Sequence, residues 1–311
     1  MCSFVIMGAR RGDLLDLIRL ATLFLKRKAF RGCCGVRRVL WGVLILAFWL
    51  AGCRWVPGLA AGWERAVALP LLRGLHRLTA AAPFPILEPL ALAALLLCLG
   101  RHGLRRAGVV VGVYALLWYP AYWAQAPEVR PAADPGQLEA LCEELTDRLN
   151  GPVPELDGDL PVKAARYPEW MRALGIAGLF SPWTGEVLVN PEVSPAALPF
   201  TCVHELTHLS GIADEGAANI AAWRECMRRG GAYAYSARLW ALRYALQRLS
   251  EADPEACRRA LARVDADLAR LLVPLPGAGV NPLARLLGIG RLTSDYDALV
   301  DFLAAGQSLV K

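Results

Sequence analysis

Charged residues and regular cysteine motifs are both scarce in this sequence. Only 20% of the 311 residues are charged, whereas 56% are hydrophobic. This balance is more apolar than that of an ordinary soluble domain and favours a membrane protein. The nine cysteines show neither a CxxC pair nor the regular spacing of a disulfide framework. A disulfide among Cys142, Cys202, Cys226 and Cys257 stays open for a domain outside the cytoplasm.

The sequence also lacks the surface pattern of a nucleic-acid-binding protein. Its net charge is +6, but the early Arg residues flank apolar segments and do not alternate with aromatic residues. No internal repeat or low-complexity segment is present. We therefore predict no nucleic-acid partner and interpret the basic residues as a signal of membrane orientation.

Three apolar stretches are predicted to be transmembrane helices, at residues 39–56, 84–100 and 107–124. Each is close to the ~20 residues that a helix needs to cross the hydrocarbon core. Aromatic residues on the first and third resemble the aromatic belts of a lipid interface. They are Trp41, Trp49, Trp55, Trp118, Tyr119, Tyr122 and Trp123. The alternative is a buried core hairpin, which the near absence of charge disfavours.

Basic residues predict the orientation of these helices. Nine Lys and Arg residues precede the first stretch, and Arg101, Arg105 and Arg106 lie between the second and third. Because cytoplasmic loops are enriched in Lys and Arg, both segments are predicted to be cytoplasmic. Three crossings then place residues 57–83 and everything after residue 124 outside. We predict a multi-pass protein of a bacterial cytoplasmic (inner) membrane, with the lipid bilayer as a partner and an extracytoplasmic C-terminal domain.

A lipoprotein signal is a competing interpretation of the first apolar stretch. Arg37 and Arg38 are followed by an apolar run and then by Leu50-Ala51-Gly52-Cys53, which is typical of a signal that ends in a lipid-accepting Cys. The long basic tail before it is atypical of such a signal. In both interpretations the following loop lies outside.

The remainder of the chain has the pattern of a soluble, largely helical domain. A Pro-rich linker at 126–136 marks its start, so the predicted organisation is a basic tail (1–36), a membrane domain (37–125) and a soluble domain (126–311). Helices are predicted at 137–149, 199–209, 214–228 and 236–249. One strand is predicted at 186–190, between a Thr-Gly turn and Pro191.

A metal-binding motif lies on the second of these helices. Only four histidines occur in the chain, and two of them are spaced i, i+4 in His204-Glu205-Leu206-Thr207-His208. On a helix this spacing puts both imidazoles on one face, where they can bind one Zn²⁺. Glu205 is then placed to act as general base toward an attacking water. Gly211 follows where the helix should end in a left-handed turn.

Two acids compete for the role of third zinc ligand. Asp214 stands where the HExxHxxGxxH pattern of metzincins has its third His. Glu215 is the other candidate, with Asn219 one helical turn later to support a ligand from outside the coordination sphere. In that case Asp214 is the N-cap of the next helix.

The segment from Phe200 to Asn219 resembles the signature of a bacterial membrane family catalogued as domain of unknown function 3810 (DUF3810). Its members combine N-terminal spans with HExxHxxG followed by ExEAN. Residues 181–190, 235–236 and 294–296 also match recurring features, so the resemblance extends from the first span onward. It implies that Glu215 is the ligand, although Ala217 replaces the second acid of that pattern.

Two further residue groups are candidates for catalysis. The strand at 186–190 could be the edge strand along which an extended substrate lies, or an ordinary sheet strand. Tyr235 could donate a hydrogen bond to the tetrahedral oxyanion, although packing is the commoner role of such a Tyr.

Together these features predict a mainly α protein: three N-terminal transmembrane helices, then a zincin-like α+β, mostly helical, metallopeptidase domain with a small sheet. It would hydrolyse the peptide bonds of a protein or peptide substrate with a zinc-activated water. The alternative is a non-catalytic, zinc-stabilised, membrane-associated binding protein, which would not need Glu205. An intramembrane protease is disfavoured because the apolar segment around His204 is too short to span a membrane.

Overall fold

A computed structural model describes residues 34–100, 102–124, 131–157, 162–272 and 293–306. The predicted basic tail, up to residue 33, and residues 125–130 of the predicted linker lie outside the described residues. The protein is mainly helical with a small mixed sheet, as predicted. It divides into two compact units. Of the described residues, the first unit contains those from 34 to 68 and from 90 to 124. The second contains Leu69–Pro89 and those from 131 onward.

The helical region up to residue 124 is interrupted at several points. In chain order they are α1 (Cys34–Trp55), α2 (Leu59–Trp63), a π-helical turn (Glu64–Ala68), α3 (Leu69–Ala80), α4 (Leu87–Cys98), α5 (Gly103–Leu117) and α6 (Ala121–Ala124). Within the first unit, the indole N–H of Trp49 donates to Ala115 O at 2.8 Å, and that of Trp63 donates to Leu116 O at 2.8 Å. Cys53 lies in α1 and is buried beside Ala60 and Tyr119.

The prediction of three membrane-spanning helices was wrong for the part of the chain that the structure describes. One helical stretch, Arg105–Ala124, is long and apolar enough to cross a membrane. A second qualifies only if the pair Trp41–Trp55 and Leu59–Ala80, bent by 106° at its break, is a single span. The described residues therefore offer one or two candidate spans.

The second predicted span fails because its helix is too short. Helix α4 has 12 residues, which at 1.5 Å per residue gives about 18 Å, against about 30 Å of hydrocarbon. Pro83 and Pro85 precede the helix and Gly100 follows it. These residues disfavour helix continuation, so an apolar run of sufficient sequence length folds into a shorter helix.

The second unit contains the sheet and the remaining helices. After α3 its elements are α7 (Pro135–Leu149), β1 (Lys163–Ala164), α8 (Pro168–Leu174), β2 (Gly178–Phe180), β3 (Val187–Val189), α9 (Leu198–Leu209), α10 (Glu215–Arg229), α11 (Gly231–Ala252), α12 (Pro254–Leu261), α13 (Ala266–Leu272) and α14 (Thr293–Ala304). All four predicted helices of the soluble domain and its predicted strand are present. Helix α7 starts at a capping box between Asp134 and Gln137, a strong N-terminal signal.

The three-stranded sheet has the order β1-β3-β2. Strand β1 is parallel to β3, and β2 is antiparallel to it, with Leu179 opposite Leu188. The predicted strand is therefore β3, and its interpretation as an edge strand was wrong, because both of its sides are paired. All three residues of β3 are buried, which explains why only this strand showed a clear apolar signal. The edges of the sheet belong to β1 and β2.

The hydrophobic core of the second unit is formed mainly by helices. Its largest buried side chains include Leu138, Leu145, Phe200, Ile220, Trp223, Leu239, Leu242 and Leu249. They come from α7, α9, α10 and α11, and α9 packs in addition on β2 and β3. Cys142, Cys202, Cys226 and Cys257 are free buried thiols, so no disulfide links the four cysteines for which one was considered.

Candidate metal centre

Helix α9, which carries His204, Glu205 and His208, is fixed at both ends. Pro199 stands in its first turn, where the missing N–H of proline costs nothing. The N–H of Phe200 donates to Ser236 Oγ of α11 at 3.0 Å, which satisfies one of the unpaired amides of a helix start. After the helix, Gly211 adopts the positive φ of 104° that the sequence predicted. This turn sends the chain back into α10.

The return of the chain brings Glu215 to both histidines. His204 Nε2 lies 3.1 Å from Glu215 Oε2 and 3.1 Å from His208 Nε2. His208 Nε2 lies 3.5 Å from the same carboxylate oxygen. Both histidines are buried, whereas the Glu215 side chain is about one-third exposed, at 35%. Among the described residues, these three form a group with the composition and spacing of a metal site.

This donor set fits a zinc ion. Two imidazole nitrogens and one carboxylate oxygen are typical ligands of catalytic zinc, which keeps a fourth position open. Ligand atoms about 2.0–2.2 Å from a tetrahedral zinc lie about 3.3–3.6 Å from one another. The three separations of 3.1, 3.1 and 3.5 Å are close to that triangle. Small side-chain adjustments would therefore complete the geometry.

Hydrogen bonding and charge prepare the histidines to bind a cation. His208 Nδ1 lies 2.6 Å from Ile212 O, so Nδ1 carries the proton and Nε2 faces His204 and Glu215. Burial alone would lower the pKa of His208, but Glu215 raises it to about 9. Burial would raise the pKa of Glu215, and the two histidines instead hold it well below its usual range. Because a metal ligand must be deprotonated, a cation that binds Nε2 of His208 would release the proton held there.

Asp214 is not part of this group. Its side chain accepts a hydrogen bond from Ala217 N at 2.8 Å and caps α10. An Asp at this position satisfies an orphan amide of the first turn. Of the two acids that the sequence left open, the structure brings Glu215 to the histidines and leaves Asp214 as the N-cap.

Glu205 projects from α9 toward strand β2. Its side chain is buried, and its carboxylate accepts a hydrogen bond from the N–H of Phe180. Burial raises the pKa of Glu205 above its usual value, and the neighbouring histidines offset this in part. A raised pKa suits a carboxylate that takes up and releases a proton near neutral pH.

Gly178 makes this close packing of strand and helix possible. A Cβ at this position would lie 2.7 Å from Glu205 Cγ, 2.8 Å from Glu205 Oε1 and 2.9 Å from Thr201 Cγ2. Only glycine leaves that space free. Sequence reasoning missed Gly178 and Phe180, since a three-residue strand after a turn shows no alternation, and nothing in it indicates a contact with Glu205.

Asn219 lies one turn after Glu215 on α10 and is fully buried. Its amide nitrogen and oxygen have no hydrogen-bond partner among the described residues. Such buried, unsatisfied amides are uncommon and call for an explanation. The prediction that Asn219 supports a metal ligand supplies one, because a ligand that reorients around the cation can become its partner.

Tyr235 lies in the first part of α11 and is 5% exposed. It belongs to the same hydrophobic core cluster as Phe200 and Trp240. Burial raises the pKa of its hydroxyl, and the charge of Asp265 adds to the effect. Its position fits the packing role that the sequence left open, and the oxyanion role stays a prediction.

Residues 122–273 match the model of the family described as Protein of unknown function (DUF3810). The match supports the resemblance to the DUF3810 family that the sequence motifs indicated. It contains His204, Glu205, His208, Glu215 and Asn219, and it is narrower than the sequence resemblance, since it begins near the end of the last candidate span. No curated protein and no solved structure matches the chain.

Proposed function

We propose that this DUF3810 protein is a membrane-anchored, zinc-dependent metallopeptidase. The observation that carries the proposal is the convergence of His204, His208 and Glu215 within 4.8 Å of one another, with Glu205 adjacent on the same helix. A purely structural zinc site does not need an acid beside its first histidine. A hydrolytic site does, because a proton must be removed from the attacking water.

In this mechanism each residue has a separate task. His204, His208 and Glu215 would hold the metal. A bound zinc ion would supply Lewis-acid catalysis and lower the pKa of water toward neutrality. The Glu205 carboxylate takes a proton from the attacking water and delivers it to the leaving amine. The hydrogen bond from Phe180 N–H orients that carboxylate before substrate arrives. Asn219 is proposed to form a hydrogen bond with one of the metal ligands and to hold it in position.

The outer edge of β2 is proposed to hold the substrate main chain. Asn190 N donates to Ala177 O at 2.8 Å, and Ser181 N donates to Glu186 O at 2.9 Å. Because main-chain groups alternate sides along a strand, those of Gly178 and the C=O of Phe180 point away from β3 and are proposed to bind the substrate. The N–H of Phe180 points the same way but already donates to Glu205. Extended peptides bind at such edges through main-chain hydrogen bonds. An unfolded or flexible segment of a protein is therefore the expected substrate.

The proposed location is the outer face of a bacterial cytoplasmic membrane. Helical stretch Arg105–Ala124 begins with Arg105 and Arg106, which favours a cytoplasmic start and an exit on the opposite side. Residues from Gln125 onward would then lie outside.

The test uses the full-length protein in detergent, since Leu69–Pro89 contributes to the unit that carries the site. Metal content would be measured together with cleavage of an unstructured peptide library. Glu205→Gln is the test variant. The matched control is Glu225→Gln, which changes a half-buried acid of α10 paired with Arg228 and Arg229. We expect about one zinc per chain in all three proteins and cleavage in all but Glu205→Gln. Zinc without any cleavage by the wild type would favour the zinc-stabilised binding protein, and no zinc would refute both.

A further inference from the structure

The segment Leu69–Pro89, which precedes the last candidate span, is built into the sheet of the second unit. Its contact point is Glu186, whose side chain is only 1% exposed. One carboxylate oxygen accepts from Ile86 N at 2.9 Å, and the other accepts from Leu87 N at 2.7 Å. These are free amides at the start of α4. A buried carboxylate thus holds this part of the segment against the β2–β3 hairpin.

Lys163 completes the contact from the neighbouring strand β1. Its ammonium group donates to Glu186 Oε1 at 2.8 Å. The same nitrogen donates to Thr79 O at 2.7 Å and to Phe84 O at 3.1 Å. Lys163 therefore ties together strand β1, the hairpin and the end of α3. Burial alone would raise the pKa of Glu186, but the bonds from Ile86, Lys163 and Leu87 hold it below its usual range, so Glu186 is ionised at neutral pH.

The turn of the hairpin is also fixed on α3. His76 Nδ1 lies 2.9 Å from Gly185 O. Within the turn, Gly185 N donates to Ser181 O at 2.7 Å, and the Thr184 hydroxyl donates to Ser181 Oγ at 3.0 Å. The turn is therefore constrained from inside by its own hydrogen bonds and from outside by the helix. Little freedom is left for β2 to shift along β3.

Strand β2 leads from this hairpin to the proposed general base. Phe180, the last residue of β2, donates its N–H to Glu205, and Gly178 packs directly against the same side chain. A displacement of β2 would therefore move or release the carboxylate. The metal-binding side chains, by contrast, come from α9 and α10. Their convergence includes no atom of the hairpin.

We propose that Glu186 is a positioning residue for the hydrolysis: with Lys163 it locks Leu69–Pro89 to the β2–β3 hairpin and thereby sets the position of Glu205. The inference rests on the proposed function. It explains why a buried ion pair, which is a weak source of net stability, joins the sheet to Leu69–Pro89, a part of the same unit that precedes the last candidate span. The proposal distinguishes zinc binding from turnover. Zinc binding does not depend on the Glu186–Lys163 contact, whereas turnover does.

The test compares three full-length variants with the wild type in detergent. Glu186→Gln removes the buried charge and keeps the size of the side chain. Glu192→Gln is the matched control, since Glu192 forms an exposed ion pair with Arg172 on the residues just after β3. Gly178→Ala disturbs the packing against Glu205 and leaves the Glu186 ion pair intact. Zinc content, kcat, KM and hydrogen exchange of the hairpin amides would be measured for each.

We expect Glu186→Gln and Gly178→Ala to keep full zinc content and to lose about tenfold or more in kcat, since small misplacements of a catalytic group cost that much. KM should change less than kcat. Hairpin amides should exchange faster in Glu186→Gln, while α9 and α10 stay protected, and Glu192→Gln should match the wild type. A role in folding alone would instead lower zinc content, folded fraction and activity in proportion.

The outcomes that would overturn this inference differ from the failure of the proposed function. If the wild type cleaves peptides and Glu186→Gln has the kcat and hairpin exchange of Glu192→Gln, the positioning role is refuted and the peptidase stands. The same holds if the loss of kcat only follows a loss of zinc. If the zinc-loaded wild type cleaves nothing, the proposed function fails, and the positioning role fails with it.

Discussion

Glu215 Oε2 lies 3.1 Å from His204 Nε2 although the two residues belong to different helices. The approach depends on the turn at Gly211, which ends α9 and directs the start of α10 back toward the histidines. Asp214, one residue earlier, faces its own helix instead. Two adjacent residues at the start of α10 therefore point in different directions. Glu215 faces the histidines, and Asp214 caps the helix.

The first prediction concerns this pair of acids. Glu215→Gln should lower zinc affinity by more than the about 10–100-fold that loss of a supporting residue costs, because it removes a charged ligand. Asp214→Asn should retain both zinc and thermal stability, because Asn is an equally good N-cap. Metal titration monitored by calorimetry measures both. Loss of zinc affinity in Asp214→Asn, with Glu215→Gln unchanged, would reverse the assignment.

The second prediction concerns Asn219, whose amide is buried without a partner among the described residues. If it supports a metal ligand, Asn219→Ala should weaken zinc binding by about 10–100-fold. Stability without zinc should fall only by the lost packing of the side chain, because the amide has no hydrogen bond to another described residue. Competition with a chelator gives the affinity, with Glu225→Gln as the control on the same helix. An unchanged affinity would assign Asn219 to packing alone.

A third prediction follows from the lowered pKa of Glu186. A carboxylate with a folded-state pKa below its unfolded value stabilises the fold above the unfolded pKa, and this contribution is lost as pH falls through the folded pKa. The unfolded value is near 4.5. We therefore expect the wild type to lose stability relative to Glu186→Gln as pH falls below about 4.5. Denaturant unfolding at pH 7 and pH 3 checks this, and a stability difference independent of pH would contradict it.

The fourth prediction concerns a fragment that starts at residue 126. Such a fragment lacks Ile86 and Leu87, so Glu186 and Lys163 keep each other but lose their other partners. Hydrogen bonds to a charged group contribute about 1.5–3 kcal/mol each, so losing those from Ile86 and Leu87 to Glu186 lowers stability. We expect a lower midpoint of thermal unfolding and faster exchange of the β2–β3 amides than in the full chain. A fragment as stable as the full chain would show that Leu69–Pro89 is dispensable.

The sequence predicted the parts of the site that depend on local spacing. His204, Glu205 and His208 follow from helix periodicity, and Gly211 follows from the need to end that helix. The choice between Asp214 and Glu215 could not be made from spacing, because adjacent residues at a helix start differ only in the direction of their side chains. That direction is set by the cap, which only the structure shows.

The fold was predictable where a segment carries its own signal. Helix α7, with its regularly spaced Leu residues and its capping box, and the buried strand β3 are examples. Strand β2 was not predictable because three residues are too few to show a period. The role of Leu69–Pro89 was also missed. Its contacts with Lys163 and Glu186 are made by main-chain groups, which leave no trace in the sequence.

The most direct test of the account is the turnover of Glu205→Gln at equal zinc occupancy. Wild type and variant would be loaded with zinc, checked for metal content, and assayed on the same unstructured peptides. The account predicts equal zinc content and a kcat lower by about 10²–10⁴-fold in the variant, the usual contribution of a general base. Cleavage by Glu205→Gln at the wild-type rate, with zinc in place, would contradict it.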